Sequence, residues 1–417
     1  MKYINQLNNF CLVLAVFFLP VHLNFNNIFI TCFICLNLLL LFFENRAYKW
    51  SLIKQSKWLL TLVSLPFLLN AAGLIYTDEI VEGFNYTIRA VPFLCLPLIS
   101  LINPEVFTKN IKKLGFALVL GCLFVTIYSW SSAIVDIYNQ DKSIKELFGP
   151  LYSHHNLIKA LSLHSAYLSI CIYTAVGFLV FIYKELNMRK KLISVVIICL
   201  LIFFMFHLLS RNAIFYFLSA SVVFLISKKN WGLLISGSVI VIILAILAFN
   251  VKHNYLRDRI YNSLNLFEKK TQFSKKDDRF DRLSASYEIF KNKPIFGYGT
   301  AAESKHRRLV FLQNNDKIAY ERNFNAHNQF FEYLSTYGVV GGLAYILFFG
   351  GLFLQVLKQK NGFFIYVFTG LFFACITESV FERSQGVVYT AASIALLISC
   401  KLYDNTYKSI EGDDCQI

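Results

Sequence analysis

Several short stretches of the chain carry acid, base or anion-binding groups next to apolar runs. Asn325-Ala326-His327-Asn328 sets a histidine just before a long apolar run. Asn325 or Asn328 can cap the helix expected there, and the positive end of that helix favours a nearby anion. A neutral imidazole at such a place can serve as a general base. Ser210-Arg211 occupies a turn of almost no length between two apolar runs. The Arg211 guanidinium must therefore stay at the membrane surface, where it can grip phosphate oxygens with paired hydrogen bonds or rest among lipid headgroups. Arg279 and Arg282 open a segment in which Leu283, Tyr287 and Phe290 recur at helical spacing. Asp277 or Asp278 can cap this helix and Pro294 ends it. A basic residue in a first turn opposes the helix dipole, so Arg279 has another reason to be there.

Further groups lie toward the same side. Glu378 and Glu382 are four residues apart, with Arg383 beside them. On a continuing helix they would share a face, as an internal salt bridge or as part of a site. Arg89, with Asp78, Glu79 and Glu82, flanks the fourth apolar run and belongs either to the site or to a solvated rim. His164 follows His154 and His155 with no carboxylate or cysteine at metal-ligand spacing, so no metal site is expected. His207, inside an apolar run, is expected to be a packed core histidine. Pro294-Ile295-Phe296-Gly297-Tyr298-Gly299 is expected to be a structural turn, because a GxG alone is weak evidence for phosphate binding.

The elements that must position these groups are membrane helices. Hydrophobic types make up 56% of the 417 residues and charged types 16%, which excludes an ordinary soluble domain. Runs long enough to cross a bilayer, about 17 to 25 residues, occur near 8–25, 28–43, 58–75, 85–103, 114–135, 161–183, 192–209, 212–227, 232–250, 333–355, 362–378 and 386–400. The expected fold is all-α: a polytopic membrane helix bundle of about 12 transmembrane helices, with one long, partly helical outward loop. The expected division is 1–250 for the first nine helices, 251–332 for the loop, 333–400 for the last three helices and 401–417 for a cytoplasmic tail.

Orientation follows from the basic residues, which resist translocation. With the N-terminus inside, the short cytoplasmic segments hold 18 Lys and Arg and the short outward loops hold 6. Both termini are therefore expected in the cytoplasm and the 251–332 loop outside. That loop holds 16 of the basic residues against nine acids through residue 331. The net charge of +15 is thus divided between topology anchors and this loop and forms no single stripe of the kind that binds nucleic acid. The loop has no cysteine, so no disulfide framework is expected. Cys32 and Cys35 lie within a span and read as packing. Nothing charged falls at the expected centre of a span, which argues against an ion-coupled transporter.

Together, the Ser210-Arg211 turn, the Arg279 helix leading to Pro294-x-x-Gly297-x-Gly299, and His327-Asn328-Gln329-Phe330-Phe331-Glu332 followed by Tyr337-Gly338-Val339-Val340-Gly341 resemble the bacterial O-antigen ligase and polymerase family. The resemblance covers roughly residues 190–355, and Thr377-Glu378 to Gly386 looks like a subgroup of it. Leu283 stands where many relatives carry tryptophan, which leaves open whether Arg279 or Arg282 is the key loop arginine.

The resemblance implies an inner-membrane enzyme that moves a glycan from an undecaprenyl diphosphate carrier to an acceptor hydroxyl, such as lipid A core, on the periplasmic side. In that reading His327 is the base, while Arg211 and Arg279 or Arg282 hold the diphosphate, with Asn328 and Arg89 as further binding candidates. Glu378, Glu382, Arg383 and His164 are structural or substrate-contacting. The reaction is inverting and needs neither metal nor cofactor, because guanidinium groups and helix N-termini meet the leaving charge. The alternatives are a repeat polymerase of the same class and a lipid-linked glycan flippase.

Overall fold

A computed structural model of the chain describes residues 2–43, 46–208, 211–229, 231–232 and 279–407. The expected ninth span near 232–250 lies outside the described residues apart from Gly232. So do Ser210, residues 251–278 of the long loop, the tail from residue 408, and the side chains of Arg211 and Arg279.

The described residues are helical, without a strand, as the apolar pattern implies. Seven helices are long and apolar enough to cross a membrane: Leu23–Leu40, Ile80–Ile102, Ile111–Asn139, Ser165–Glu185, Met188–His207, Gln329–Gln359 and Ser384–Tyr403. Tyr3–Phe18, Ala213–Ser227 and Gly362–Thr377 are shorter apolar helices. A polytopic helical bundle results. Its centre is the helix Ser165–Ile182, with 16 of 18 residues buried; a helix apolar all round belongs inside a bundle.

Proline punctuates the expected third and fourth spans. The third divides at Ser64 into Lys57–Val63 and Leu65–Gly73. Pro66, at the start of the second piece, has no N–H to continue the ladder. Ser64 Oγ turns instead to the carbonyl of Phe93 at 3.2 Å. The fourth bends between Ala90 and Pro92, which leaves Arg89 in the last turn of its outer piece.

Three helices precede His327: Arg279–Asn292, Glu303–Gln313 and Lys317–Arg322. They share a small core of Ala285, Ile289, Tyr298, Ala302, Val310, Phe311 and Ala319. Sequence spacing pointed to Leu283, Tyr287 and Phe290 as the inner face. The buried face is instead Ala285, Ser286 and Ile289, with Tyr287 exposed. Small residues win because the neighbouring helix approaches closely enough for Arg307 to reach Ser286 Oγ at 3.5 Å.

This unit docks on the bundle through glycines. The long helix Gln329–Gln359 breaks at Gly338, where φ is 63° and ψ −153°. A Cβ there would lie 2.4 Å from the carbonyl oxygen of Ile295, so only glycine fits. The carbonyl of Thr336, turned out at the break, accepts the N–H groups of both Tyr298 and Gly299 at 3.0 Å. Val339 N–H in turn reaches the carbonyl of Pro294 at 2.7 Å. The PxxGxG stretch is therefore a docking turn whose backbone donors are engaged by the helix. Thr300 completes it, donating from Oγ1 to the carbonyl of Asn70 at 2.8 Å. Its own carbonyl accepts Thr77 Oγ1 at 2.7 Å.

Candidate active site

The segment entering Gln329–Gln359 is shaped by two asparagines. Asn328 caps the helix, its Oδ1 accepting Phe331 N–H at 3.1 Å. Its Nδ2 donates to the carbonyl of Ile376 at 2.9 Å, so the Asn328 amide joins this helix start to the end of Gly362–Thr377. Asn325 Oδ1 accepts His327 N–H at 3.1 Å. Between them His327 takes φ +49°, a left-handed conformation that a non-glycine residue holds only where its surroundings enforce it.

His327 Nδ1 lies 2.9 Å from Glu378 Oε2. The two side chains are 19% and 8% exposed, so the pair is sheltered while the imidazole keeps an open edge. A carboxylate can only accept, so Nδ1 carries the proton and Nε2 the lone pair when the ring is neutral. Helix Gly362–Thr377 ends at Thr377, and Glu378 is extended at φ −146° and ψ 149°. This corrects the expectation that Glu378 and Glu382 share a helix face. Glu378 turns to His327, whereas Glu382 ends a short 3-10 turn, Val380–Glu382, and its carbonyl accepts Arg89 Nη1.

Arg89 is half-buried, and its guanidinium also lies 4.6 Å from the centre of the Tyr86 ring. Arg383 is exposed and leads into Ser384–Tyr407. The His164 ring lies tilted against His155 at 4.5 Å and edge-on to Tyr167 at 5.3 Å. Tyr167 Oη donates to the carbonyl of Ser379 at 3.1 Å, which brings His164 alongside the 378–383 strap. Among the described residues no group of His, Cys, Asp and Glu has a metal-holding arrangement. His207 is a core histidine, receiving Trp130 Nε1–H at 3.0 Å and meeting the Leu147 carbonyl at 2.9 Å.

Backbone placement relates the arginines to this pair. Arg211 opens the helix Arg211–Ser227. Phe215 packs on Phe373 and Phe224 approaches Gly362, so this helix runs antiparallel to Gly362–Thr377. Its first residue is thus at the end where Glu378 emerges. Arg282 lies with its guanidinium 3.7 Å from the centre of the Phe324 ring, three residues before His327. Arg279, one turn earlier, begins that same helix.

Three buried residues of the site, Arg307, Glu332 and Glu303, were not singled out from the sequence. Arg307 and Glu332 are 2% and 0% exposed and ion-paired at 2.8 Å. Glu303, 2% exposed, lies 3.7 Å from the same guanidinium. One guanidinium faces two carboxyls, and burial raises the Glu303 pKa to about 7 against the lowering by Arg307. Burial, and next the charges of Glu332 and Glu303, likewise raise Glu382, to about 8. Glu332 sits in an apolar run and Arg307 in the charged run Lys305-His306-Arg307-Arg308, so neither carried a sign of its partner.

The arrangement offers an imidazole oriented by a carboxylate at a helix N-terminus, at the end of the bundle where Arg211 begins its helix. No curated protein matches the chain. Residues 196–346 match the family model described as O-antigen ligase; that stretch contains Arg211, Arg279, Arg282, His327 and Asn328 and stops short of Glu378. Helices of membrane-spanning length and this match together support the O-antigen ligase family, a family of membrane glycosyl-transferring enzymes of ligase and polymerase type.

Proposed function

We propose that the protein transfers a glycan from an undecaprenyl diphosphate carrier to an acceptor hydroxyl such as one on lipid A core, as a ligase of the bacterial inner membrane. The observation that carries this reading is the His327 Nδ1–Glu378 Oε2 contact of 2.9 Å at the start of a helix, partly within the family-matched stretch. His327 Nε2 takes the proton of the acceptor hydroxyl as that oxygen attacks the anomeric carbon. The bond from this carbon to the diphosphate oxygen breaks, the configuration inverts, and undecaprenyl diphosphate departs. Arg211 and Arg279 meet the charge that develops on the diphosphate. Arg282, stacked on Phe324, serves the loop more than the substrate. Glu378 holds the His327 ring and stabilises the imidazolium that forms.

The excess of basic residues in alternate short loops supports cytoplasmic termini and a periplasmic site. A test separates this reading from a flippase. The purified protein, with lipid-linked glycan and lipid A core presented on the same side of the membrane, should form a new glycosidic bond; transport of donor with no new bond contradicts the proposal. In cells lacking the gene, unmodified lipid A core with accumulated lipid-linked polymer supports a ligase, whereas cores capped with a single repeat indicate a polymerase.

A further inference from the structure

We infer that Glu332 is a positioning residue for the His327–Glu378 pair, one carboxylate oxygen tying the residue before the histidine to the residue after the glutamate. The inference rests on the catalytic reading of His327. The two halves of the pair come from segments 51 residues apart, and a contact at hydrogen-bond distance needs both backbones fixed. Glu332 Oε2 accepts Ala326 N–H at 2.8 Å and Ser379 Oγ–H at 3.0 Å. Ala326 precedes His327 and Ser379 follows Glu378, so a single oxygen holds both segments from inside.

The other carboxylate oxygen faces Arg307 Nη1 at 2.8 Å. Arg307 Nε donates to the carbonyl of Phe324 at 3.1 Å, two residues before Ala326. The segment that leads to the left-handed His327 is thus held at Phe324 by the guanidinium and at Ala326 by the carboxylate. Glu332 is in the first turn of Gln329–Gln359, where the helix dipole favours an acid and the backbone is firm. A second tie comes from the same turn: Gln329 Oε1 accepts Phe381 N–H at 2.7 Å. Glu332 and Ser379 are both 0% exposed, so they act through the pair and not on substrate.

Ser379→Ala removes one of the two ties while leaving the Arg307–Glu332 ion pair in place. The assay uses full-length protein in proteoliposomes, with undecaprenyl-diphosphate-linked glycan and lipid A core extracted from a strain lacking the gene, and rates are normalised to monodisperse protein. Loss of one hydrogen bond predicts a fall in kcat of about 3- to 10-fold. The donor KM should stay within about twofold, because substrate contacts are untouched. Ser379→Thr, which keeps the hydroxyl, should recover most of the rate; if the added methyl group does not pack, the split between kcat and KM in the alanine variant decides alone.

A wild-type kcat in Ser379→Ala, or a loss confined to KM, would overturn the inference. His327→Ala in the same assay separates the two levels. If it is inactive while Ser379→Ala is normal, only the role of Glu332 fails; if it keeps wild-type turnover, the catalytic reading fails and this inference with it.

Discussion

His327 Nδ1 meets Glu378 Oε2 at 2.9 Å although the two residues stand 51 positions apart. The contact joins the start of one helix to the end of the next, and it aims the imidazole by a group that only accepts. Glu378→Gln keeps the volume but substitutes a neutral amide. A hydrogen bond to a charged group is worth about 1.5–3 kcal/mol, so turnover should fall about 10- to 100-fold with the donor KM little changed. Steady-state rates on purified variant protein check this.

The three arginines should separate by what they lose. Arg211→Ala and Arg279→Ala are expected to cut transfer about 10- to 100-fold by removing a charge-assisted contact to diphosphate. Arg282 stacks on Phe324, so Arg282→Ala should act mainly through the loop, lowering stability by about 0.5–2 kcal/mol. Transfer rates and melting temperatures measured on the same preparations distinguish these patterns; equal effects on both quantities for all three would contradict them.

Gly338 and Gly350 lie in one helix and make opposite predictions. Alanine at 338 would adopt φ +63° with its Cβ 2.4 Å from the Ile295 carbonyl, whereas nothing lies within 4 Å of a Cβ at 350. Gly338→Ala should destabilise by about 1–3 kcal/mol or more, and Gly350→Ala should be close to neutral. Thermal unfolding of the detergent-solubilised variants gives the comparison.

Burial raises the folded-state pKa of Glu303 from 4.5 to about 7. A carboxyl raised in this way favours the folded state in its protonated form. Its contribution is fully present below the unfolded value near 4.5 and is lost as pH rises through about 7. The melting temperature should therefore decline across that interval. Glu303→Gln mimics the protonated form and should flatten the decline, raising stability most at the alkaline end. A decline as steep in the variant as in the wild type would assign it to other groups, among which Glu382 is also raised by burial.

The helical architecture was legible because a bilayer demands about 20 apolar residues per crossing, and runs of that length survive any detail of packing. The breaks at Ser64 and Val91 follow from Pro66 and Pro92 once the spans are seen as proline-bearing. Sequence reading found His327 and Glu378 as residue types at helix ends, but not their contact. It carried the helix past Thr377 and so placed Glu378 beside Glu382. The Arg307–Glu332 pair was illegible for a different reason. A charge in an apolar run and a charge in a polar run announce no partner, and only the tertiary approach of Glu303–Gln313 to Gln329–Gln359 brings them within 2.8 Å. The inner face of Arg279–Asn292 escaped because close approach selects Ala285 and Ser286 over the larger apolar residues that spacing favours.

The central claim is that His327 is the base of a glycan transfer. The most direct measurement is the surface glycan of cells in which the chromosomal gene is replaced by His327→Ala, with the protein quantified in the membrane. A general base contributes about 100- to 10,000-fold. Normal membrane levels, loss of glycan-bearing lipid A core and accumulation of lipid-linked glycan are therefore expected. Normal glycan at normal protein levels would contradict the claim.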